Sequence, residues 1–170
     1  VAPLLPLIEQ ERLHFSRTTA VGKKALLGQF FTPASTANFM ARLFPSADGN
    51  CRLLDAGAGI GSLATAFLER CLTPEFNFER IHVTAYEFDP AIQTKLQHSL
   101  EHYSEYLPYS FAVIAGDFVE HAINRIQFKQ DGFTHAILTP PYKKIGRQSR
   151  QRLLLRQVGS ETVIRYAAFV

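Results

Sequence analysis

The sequence predicts an α/β fold with a doubly wound, mostly parallel sheet, and two observations lead to this prediction. Four short apolar runs alternate with segments of helical character. Strands separated by helices form right-handed βαβ units, which cover both faces of a parallel sheet. The chain has 170 residues, 46% apolar and 19% charged, which suffices for one domain with a substantial core.

The N-terminal part contains two predicted helices. Residues 1–28 have a mixed composition that predicts one helix and a loop, with glycines at 22 and 28. Thr32 then has the character of an N-cap and Pro33 that of a first helical residue. This second helix is expected to run to about Phe44, where "PSADGN" ends it.

Two strands and two helices are predicted next. The apolar run "CRLLDAGAG" predicts a buried strand and a tight turn, followed by a helix over "SLATAFLERC". The second strand is "IHVTAYEF", and the second crossover helix is "DPAIQTKLQHSLEHY". In that helix Asp89 is the expected cap and Pro90 the first helical residue.

The remaining elements follow the same alternation. "SFAVIAG" predicts a third strand, and Asp117 is the expected cap of a short helix over "FVEHAINRIQF". "THAILT" predicts a fourth strand, followed by an irregular basic loop. A last helix is expected from about Arg150 or Glu161 to the end of the chain.

Unusual residues follow each predicted strand, where a parallel sheet of this kind binds its ligands. The first is the glycine turn after Asp55, in which Gly57, Gly59 and Gly61 form G-x-G-x-G rather than the G-x-G-x-x-G of a pyrophosphate cradle. An acidic residue there repels phosphate, so a cationic or uncharged ligand is expected close to the backbone. The alternative is a tight turn that needs glycine only for its backbone angles.

The next two strand ends predict a nucleoside site. Glu87 can accept hydrogen bonds from both ribose hydroxyls, and Phe88 can stack on a purine. Asp117 can accept from an exocyclic amine, although it can equally be a plain helix cap. Together these residues predict a pocket for an adenosine without phosphates; the alternative for Glu87 and Phe88 is a solvent-facing carboxylate beside a core ring.

The motifs "DAGAGIG", "YEFDP", "GDF" and "TPPY", in this order, resemble the S-adenosylmethionine site and catalytic motif of amino-methyltransferases. "LGQFFTPASTANFM" resembles the N-terminal cofactor motif of adenine-N6 DNA methyltransferases of the gamma motif order, including type II restriction-modification methylases. The resemblance covers roughly residues 28 to 170. It implies a class I methyltransferase (Rossmann-like) fold with S-adenosyl-L-methionine as cofactor.

The resemblance also assigns roles to individual residues of the cofactor site. It implies that the methionine end of the cofactor is bordered by Phe31, Thr32, Pro33, Asp55 and Gly57, and that Ala56 and Gly59 also bind the cofactor. Glu87 would then bind the ribose, and Phe88, Asp117 and Phe118 would surround the adenine ring.

The segment "TPPY", Thr139 to Tyr142, is the predicted catalytic turn. The lone pair of an adenine N6 is delocalised into the ring, so acceptors aimed at its hydrogens help the amine to become a nucleophile. Prolines fix φ and have no N–H, so the carbonyl of Pro140 before Pro141 is presented rigidly. Tyr142 would stack on a base flipped out of double-stranded DNA.

Thr139 departs from the family pattern, which usually has Asn or Asp at this position. A threonine hydroxyl can accept a hydrogen bond, but it is shorter and must donate its own proton elsewhere. A hydroxyl residue here is more typical of enzymes that resemble cytosine-N4 methyltransferases, which remain an alternative.

Basic residues follow the catalytic turn without any acidic residue between Lys143 and Arg156. DNA phosphates are the expected partners of Lys143, Lys144, Arg147 and Arg150, and a solvated helix face is the alternative. No metal site is predicted: His98 and His102 match a zinc spacing but lie opposite the apolar stripe of their helix. No membrane span is expected, and the two cysteines fit reduced thiols of a cytoplasmic protein.

The predicted organisation is an extension over residues 1–28 and, over 29–170, the cofactor-binding and catalytic part of a methyltransferase domain. Four strands instead of about seven predict a sheet that is incomplete on its C-terminal side, completed by a further part of the chain or by a partner. No target-recognition domain is visible. The open alternatives are methylation of RNA adenine or protein glutamine, and a non-catalytic cofactor-binding module.

Overall fold

The computed structural model describes residues 2–18, 31–139, 146 and 149–159. Within these ranges the helices are α1 (Leu5–Thr18), α2 (Ala34–Arg42), α3 (Ser62–Cys71), α4 (Pro90–Glu101), α5 (Phe118–Gln127) and α6 (Arg150–Gln157). The strands are β1 (Ala47–Ala56), β2 (Phe76–Glu87), β3 (Tyr109–Ala115) and β4 (His135–Ala136). None of the helices in this part of the chain is long and apolar enough to cross a membrane.

The four strands form one parallel sheet in the order β3-β2-β1-β4. The chain moves outward from β1 through β2 to β3 and then returns to the other side of β1 for β4. This reversal opens a crevice at the carboxyl ends of β1 and β4, which is where ligands bind in such sheets. The predicted α/β class with a parallel sheet is confirmed.

Helix α3 lies at the centre of the packing. Eight of its ten residues are buried, among them Ala64, Ala66 and Phe67. The small side chains let the helix approach its neighbours closely. The Phe67 ring packs against a cluster of aromatic side chains near the amino ends of β2 and β4, formed by Phe44, Phe76, Phe78 and His135. The core therefore forms on the α3 face of β1 and β2.

Helix α1 packs into the same core. Leu5 and Ile8 are buried, and the Leu5 N–H donates to Glu69 Oε1 at 2.9 Å. Glu9 Oε2 accepts from the N–H of Ala34 at 3.0 Å, which supplies the start of α2 with an acceptor from another helix. Residues 2–18 are thus part of the packed unit, while the predicted domain boundary after residue 28 lies in a stretch outside the described ranges.

The predicted helix starts are right in two cases and wrong in one. Asp89 and Asp117 are the N-caps of α4 and α5, with side chains that accept from Ala91 and Val119. Thr32 is not an N-cap: α2 begins one residue later than predicted, with Pro33 at the cap position and no side-chain cap bond. The fixed φ of proline suits both positions, so the sequence pattern did not distinguish them.

The strands differ from prediction mainly at their beginnings. β1 starts at Ala47 rather than Cys51, and β2 at Phe76 rather than Ile81. In β2 the added residues alternate, with Phe76 and Phe78 buried, which is a strand signal that the search for continuous apolar runs misses. β4 is shorter than the predicted "THAILT", although the N–H of Ile137 still donates to the carbonyl of Leu54.

Candidate functional site

A cleft lies at the carboxyl ends of β1 and β4, and three separate segments of the chain surround it. Its cavity volume is about 20 Å³, and part of it is open to solvent. The residues around it are Phe31, Thr32, Gly57, Ala58, Gly59, Ile60, Ser62, Leu63 and Thr139. The fold thus brings the predicted cofactor motif, the glycine turn and the first residue of the predicted catalytic turn to one place.

The glycine turn after β1 is held by hydrogen bonds and by tight packing. The N–H groups of Gly57 and Ala58 both donate to the carbonyl of Tyr86, at 3.0 and 2.8 Å. Gly59 has a φ of 57°, and a Cβ there would lie 2.7 Å from Phe31 Cδ1. Glycine is therefore required at position 59 both for the backbone angle and for the aromatic ring that lies on it.

Glycine is needed at position 61 because of a neighbouring helix rather than a ring. Its φ is 91°, and a Cβ would lie 3.0 Å from Leu96 Cδ1 of α4. The third glycine of the predicted G-x-G-x-G pattern thus allows α4 to pack against the start of α3. It belongs to the support of the turn rather than to the lining of the cleft.

The carboxylate of Glu87 connects the end of β2 to the glycine turn. Oε2 accepts from the N–H of Gly59 at 2.9 Å, and Oε1 accepts from the N–H of Asp89 at 2.8 Å. Burial raises the pKa of Glu87, while these backbone hydrogen bonds oppose the rise. Each carboxylate oxygen has a second lone pair, so Glu87 can still accept hydrogen bonds from two hydroxyl groups of a ligand.

Asp55 is fully buried at the end of β1. Its Oδ2 accepts from the N–H of Ala64 at 3.2 Å, so it caps the first turn of α3 in place of the glycine at the N-cap. Its Oδ1 has no hydrogen-bond partner within the described part of the protein. Burial, aided by the negative charge of Glu87, raises the pKa of Asp55 to about 7. Ala56, also fully buried, follows it in β1.

The residues predicted around an adenine ring have three different environments. Phe88 is 70% exposed beside the end of β2, which leaves its ring accessible to a ligand. Phe118 is buried, with its ring edge-on to Tyr86 at 5.2 Å between centroids. Asp117 caps α5 through Oδ1, and its Oδ2 contacts the side-chain amide of Gln151 in α6. Both predicted uses of Asp117 remain compatible with this position.

Thr32 and Thr139 meet across the cleft although 107 residues separate them. Their hydroxyl oxygens are 2.8 Å apart, and either group can be the donor. Pro33, next to Thr32, is exposed at the start of α2. The other predicted catalytic residues, Pro140, Pro141 and Tyr142, lie outside the described residues.

The predicted phosphate contacts are only partly described. Lys143, Lys144 and Arg147 lie outside the described residues, whereas Arg150 begins α6. The Arg150 side chain is 77% exposed and forms an ion pair with Glu120 of α5. Its charge is therefore partly balanced within the protein, which the count of basic residues along the sequence did not anticipate.

The structure adds residues that the sequence interpretation did not single out. Ile60, Ser62 and Leu63 line the cleft, and their position directly after Gly59 was the available signal. Phe15 of α1 packs edge-on against Phe31 and so supports the ring on Gly59. No local sequence signal connects Phe15 with Phe31, because the two rings are distant in the chain and meet only through tertiary packing.

Histidines and cysteines have no ligand-binding arrangement in the ranges described. No group of three or more metal-binding side chains occurs there. His98 is exposed and lies near Glu101, while His102 is half-buried against the rings of Tyr103 and Tyr106. The predicted apolar stripe on the opposite side of α4, from Ile92 to Leu100, is buried as expected.

Substitution of two glycines in the turn should separate backbone strain from contact with Phe31. Gly59→Ala should lower the free energy of unfolding by about 1–3 kcal/mol more than Gly57→Ala. Only at position 59 would the added methyl group overlap the ring of Phe31. Both positions have positive φ, so the strain common to them cancels in the comparison. Urea denaturation of the two variants, and of Gly59→Ala combined with Phe31→Ala, provides the measurement. Equal losses at both glycines would contradict the role of the ring.

The buried carboxyl of Asp55 should make stability depend on pH. Its pKa is about 7 when folded and 3.8 ordinarily, so the folded protein binds the proton more tightly between these values. The stabilisation is present below about pH 4 and is lost as the pH rises to about 7, by at most about 1.4 kcal/mol per pH unit. Asp55→Asn keeps the acceptor for Ala64 and should remove this slope. Urea denaturation of the wild type and of Asp55→Asn at pH 5 and pH 7 measures the free energy of unfolding at each pH. An equal change in this free energy for the two proteins would exclude the effect of Asp55.

Comparison with known proteins finds two curated relatives that are similar to most of the chain. No family model matches the chain. It is 39% identical, over 98% of its length, to the type II methyltransferase M.BsuBI of Bacillus subtilis. It is 32% identical, over 86% of its length, to the type II methyltransferase M.PstI of Providencia stuartii. The chain spans 34% and 30% of these two relatives, about a third of each.

Two solved structures share the fold. One, from Listeria monocytogenes, is assigned to the class I S-adenosylmethionine-dependent methyltransferases; it matches 98% of this chain and 47% of its own, with a TM-score of 0.67 and 11% identity. The other is a modification subunit assigned to a type I restriction enzyme of Vibrio vulnificus; it matches 98% of this chain and 33% of its own, with a TM-score of 0.69 and 15% identity.

These findings confirm the predicted fold class and the predicted resemblance to methyltransferases of restriction systems. Nearly the whole chain is therefore homologous to about a third of a type II methyltransferase, and its fold is that of the class I S-adenosylmethionine-dependent methyltransferases.

Proposed function

We propose that this chain is the cofactor-binding and catalytic part of an enzyme that transfers a methyl group from S-adenosylmethionine to N6 of adenine in DNA. The homology to type II methyltransferases supports an enzyme of a restriction-modification system. The observation that most directly supports the proposal is the shared cleft, in which the glycine turn after β1 faces Thr139 after β4. Cofactor and target amine would meet there.

The described residues fit the cofactor of this fold class. The turn allows close approach of a ligand to the backbone, and its neighbouring acidic groups favour a cationic ligand over a phosphate. Glu87 would accept the ribose hydroxyls, and the exposed ring of Phe88 would lie against the adenine. Oδ1 of Asp55, which has no hydrogen-bond partner among the described residues, is an acceptor that a bound amino group, or a water next to it, would satisfy.

The chemistry of the proposed reaction lies mainly in positioning. When bound, S-adenosylmethionine supplies an electrophilic methyl group whose bond to sulfur breaks as the bond to nitrogen forms. Thr139 Oγ1 and the carbonyl of Pro140 would accept from the two hydrogens of the amine. These acceptors draw the nitrogen lone pair out of conjugation and stabilise the positive charge that develops on nitrogen. Tyr142 would stack on the flipped base and hold it in line.

The partner in this proposal is double-stranded DNA with one base flipped out. Lys143, Lys144 and Arg147 follow the catalytic turn and would contact its phosphates. The rest of a complete methyltransferase, or a partner chain, would pair with the edge of β4 that no strand of the described residues covers, and would read the DNA sequence. The proposal places the enzyme in the cytoplasm, together with its DNA and its cofactor.

Cytosine N4 is the second candidate for the methylated atom. The hydroxyl of Thr139 in place of a carboxamide or carboxylate favours it, while the N-terminal motif that contributes Phe31 and Thr32 favours adenine. Both targets are exocyclic amines of a flipped base, so the same site serves either. The reaction with RNA adenine or a protein glutamine would use the same acceptors.

The decisive experiment uses the full-length gene product, unmethylated DNA and S-adenosylmethionine labelled in its methyl group. Digestion of the DNA to nucleosides should yield labelled N6-methyladenine. Labelled N4-methylcytosine would establish the second candidate, and labelled RNA or protein with unlabelled DNA would replace the proposal by another substrate class. A folded protein that labels none of them would exclude the proposed activity.

Glu87→Gln should weaken binding of S-adenosylmethionine about tenfold or more. The amide is a weaker acceptor than the carboxylate, and its NH₂ group would face one of the two backbone donors, at Gly59 or at Asp89. Titration calorimetry on this chain gives the dissociation constants. Glu79→Gln, on the exposed part of the same strand, is the matched control and should bind as the wild type does. Equal affinities for all three proteins would remove Glu87 from the site.

Charge reversal of Lys143, Lys144 and Arg147 to Glu should weaken DNA binding of the full-length protein and lower its salt dependence. Each lost phosphate contact reduces the slope of log K against log salt by about 0.9. The matched control reverses the charges of three exposed basic residues, Arg42, Arg80 and Lys129. The topology places them toward the amino ends of the strands, opposite the cleft. Fluorescence anisotropy at several salt concentrations provides the measurement. A slope equal to that of the wild type would refute the phosphate contacts.

A further inference from the structure

The hydrogen bond between Thr32 and Thr139 joins the two halves of the proposed active site. The two oxygens are 2.8 Å apart, and both residues are half-buried and line the cleft. Thr32 precedes α2, whereas Thr139 follows β4, at the point where the predicted catalytic turn begins. A contact at this place bears directly on how Thr139 can act on a substrate.

Thr139 has a chemical requirement that Asn or Asp at the same position would not have. A hydroxyl has one proton and two lone pairs, whereas a carboxamide oxygen accepts without any proton of its own. If the hydroxyl proton of Thr139 points at the target amine, two donors face each other. For Oγ1 to accept from that amine, the proton must be donated to another acceptor.

Thr32 is available as that acceptor because α2 does not use it as a cap. Pro33 occupies the cap position, and α2 has no side-chain cap bond. The N–H of Ala34, at the first turn of α2, is bound by Glu9 of α1 instead. The hydroxyl of Thr32 is therefore turned toward Thr139 rather than toward its own helix.

We propose that Thr32 is a positioning residue whose Oγ1 accepts a hydrogen bond from the hydroxyl of Thr139, which leaves a lone pair of Thr139 Oγ1 to accept from the target amine. This inference rests on the proposed methyl transfer. It also gives the N-terminal segment a role beyond lining the cofactor pocket. The hydroxyl of Thr139, which would accept from the target amine, depends on Thr32, 107 positions earlier in the chain.

Kinetics of the complete methyltransferase test the proposal. Thr32→Val removes the acceptor at nearly constant volume and should lower kcat about tenfold or more, with the dissociation constant of S-adenosylmethionine changed by less than about threefold. Thr32→Ser should restore kcat to near the wild-type value. Thr36→Val, on the exposed face of α2, is the control and should leave kcat unchanged. A loss confined to cofactor affinity, or a failure of Ser to restore kcat, would overturn the proposal.

A double-substitution cycle tests whether Thr32 acts through Thr139. If it does, Thr32→Val should lower kcat no further once Thr139→Val is present. In a Thr139→Asn background Thr32→Val should cost little, since a carboxamide oxygen needs no proton acceptor. If Thr32→Val lowers kcat by the same factor in the Thr139→Val and Thr139→Asn backgrounds as in the wild type, Thr32 acts independently of Thr139. The proposal would then be wrong.

Thermal unfolding separates failure of this inference from failure of the proposed function. The hydrogen bond predicts that the fall in Tm of the double variant Thr32→Val, Thr139→Val is smaller than the sum of the two single falls. Additive falls would show that the two hydroxyls do not interact, whatever the activity. A wild-type protein that transfers no methyl group, together with non-additive falls, would instead refute the proposed function and keep the contact.

Discussion

The position of β1 between β2 and β4 is the constraint on which the site depends. β1 forms parallel hydrogen bonds on both edges, in register with Ile81–Tyr86 on one side and with His135–Ala136 on the other. Because the chain leaves β1 in one direction and returns on the other side, the loops that follow β1 and β4 meet without covering each other. The cleft, the glycine turn and Thr139 all follow from this arrangement.

The carboxyl ends of β1 and β2 concentrate acidic groups that are costly to bury. Burial raises the pKa of both Asp55 and Glu87, and the negative charge of Glu87 adds to the rise at Asp55. Backbone N–H groups of the turn and of α3 offset part of this cost. The proposed cationic cofactor would supply positive charge beside these carboxyl groups.

The N-terminal helix supports the residues around the cleft through two direct contacts and a third contact that depends on the second. Glu9 binds the start of α2, Phe15 supports Phe31, and Phe31 lies on Gly59. Each contact joins residues that are distant in sequence, and each limits the freedom of the segment that bears Thr32. A helix that composition alone treats as an extension therefore helps to define the geometry of the cleft.

The sequence by itself determined the class of fold, the order of elements, the caps at Asp89 and Asp117, and the strand ends where acidic and glycine residues cluster. These are consequences of local periodicity and local hydrogen bonding, which adjacent residues specify. Only the tertiary structure decided the partners: Glu9 rather than Thr32 at the start of α2, Glu120 beside Arg150, and Thr139 against Thr32. Such pairings depend on how segments distant in the sequence pack together, so the spacing of residues along the chain does not predict them.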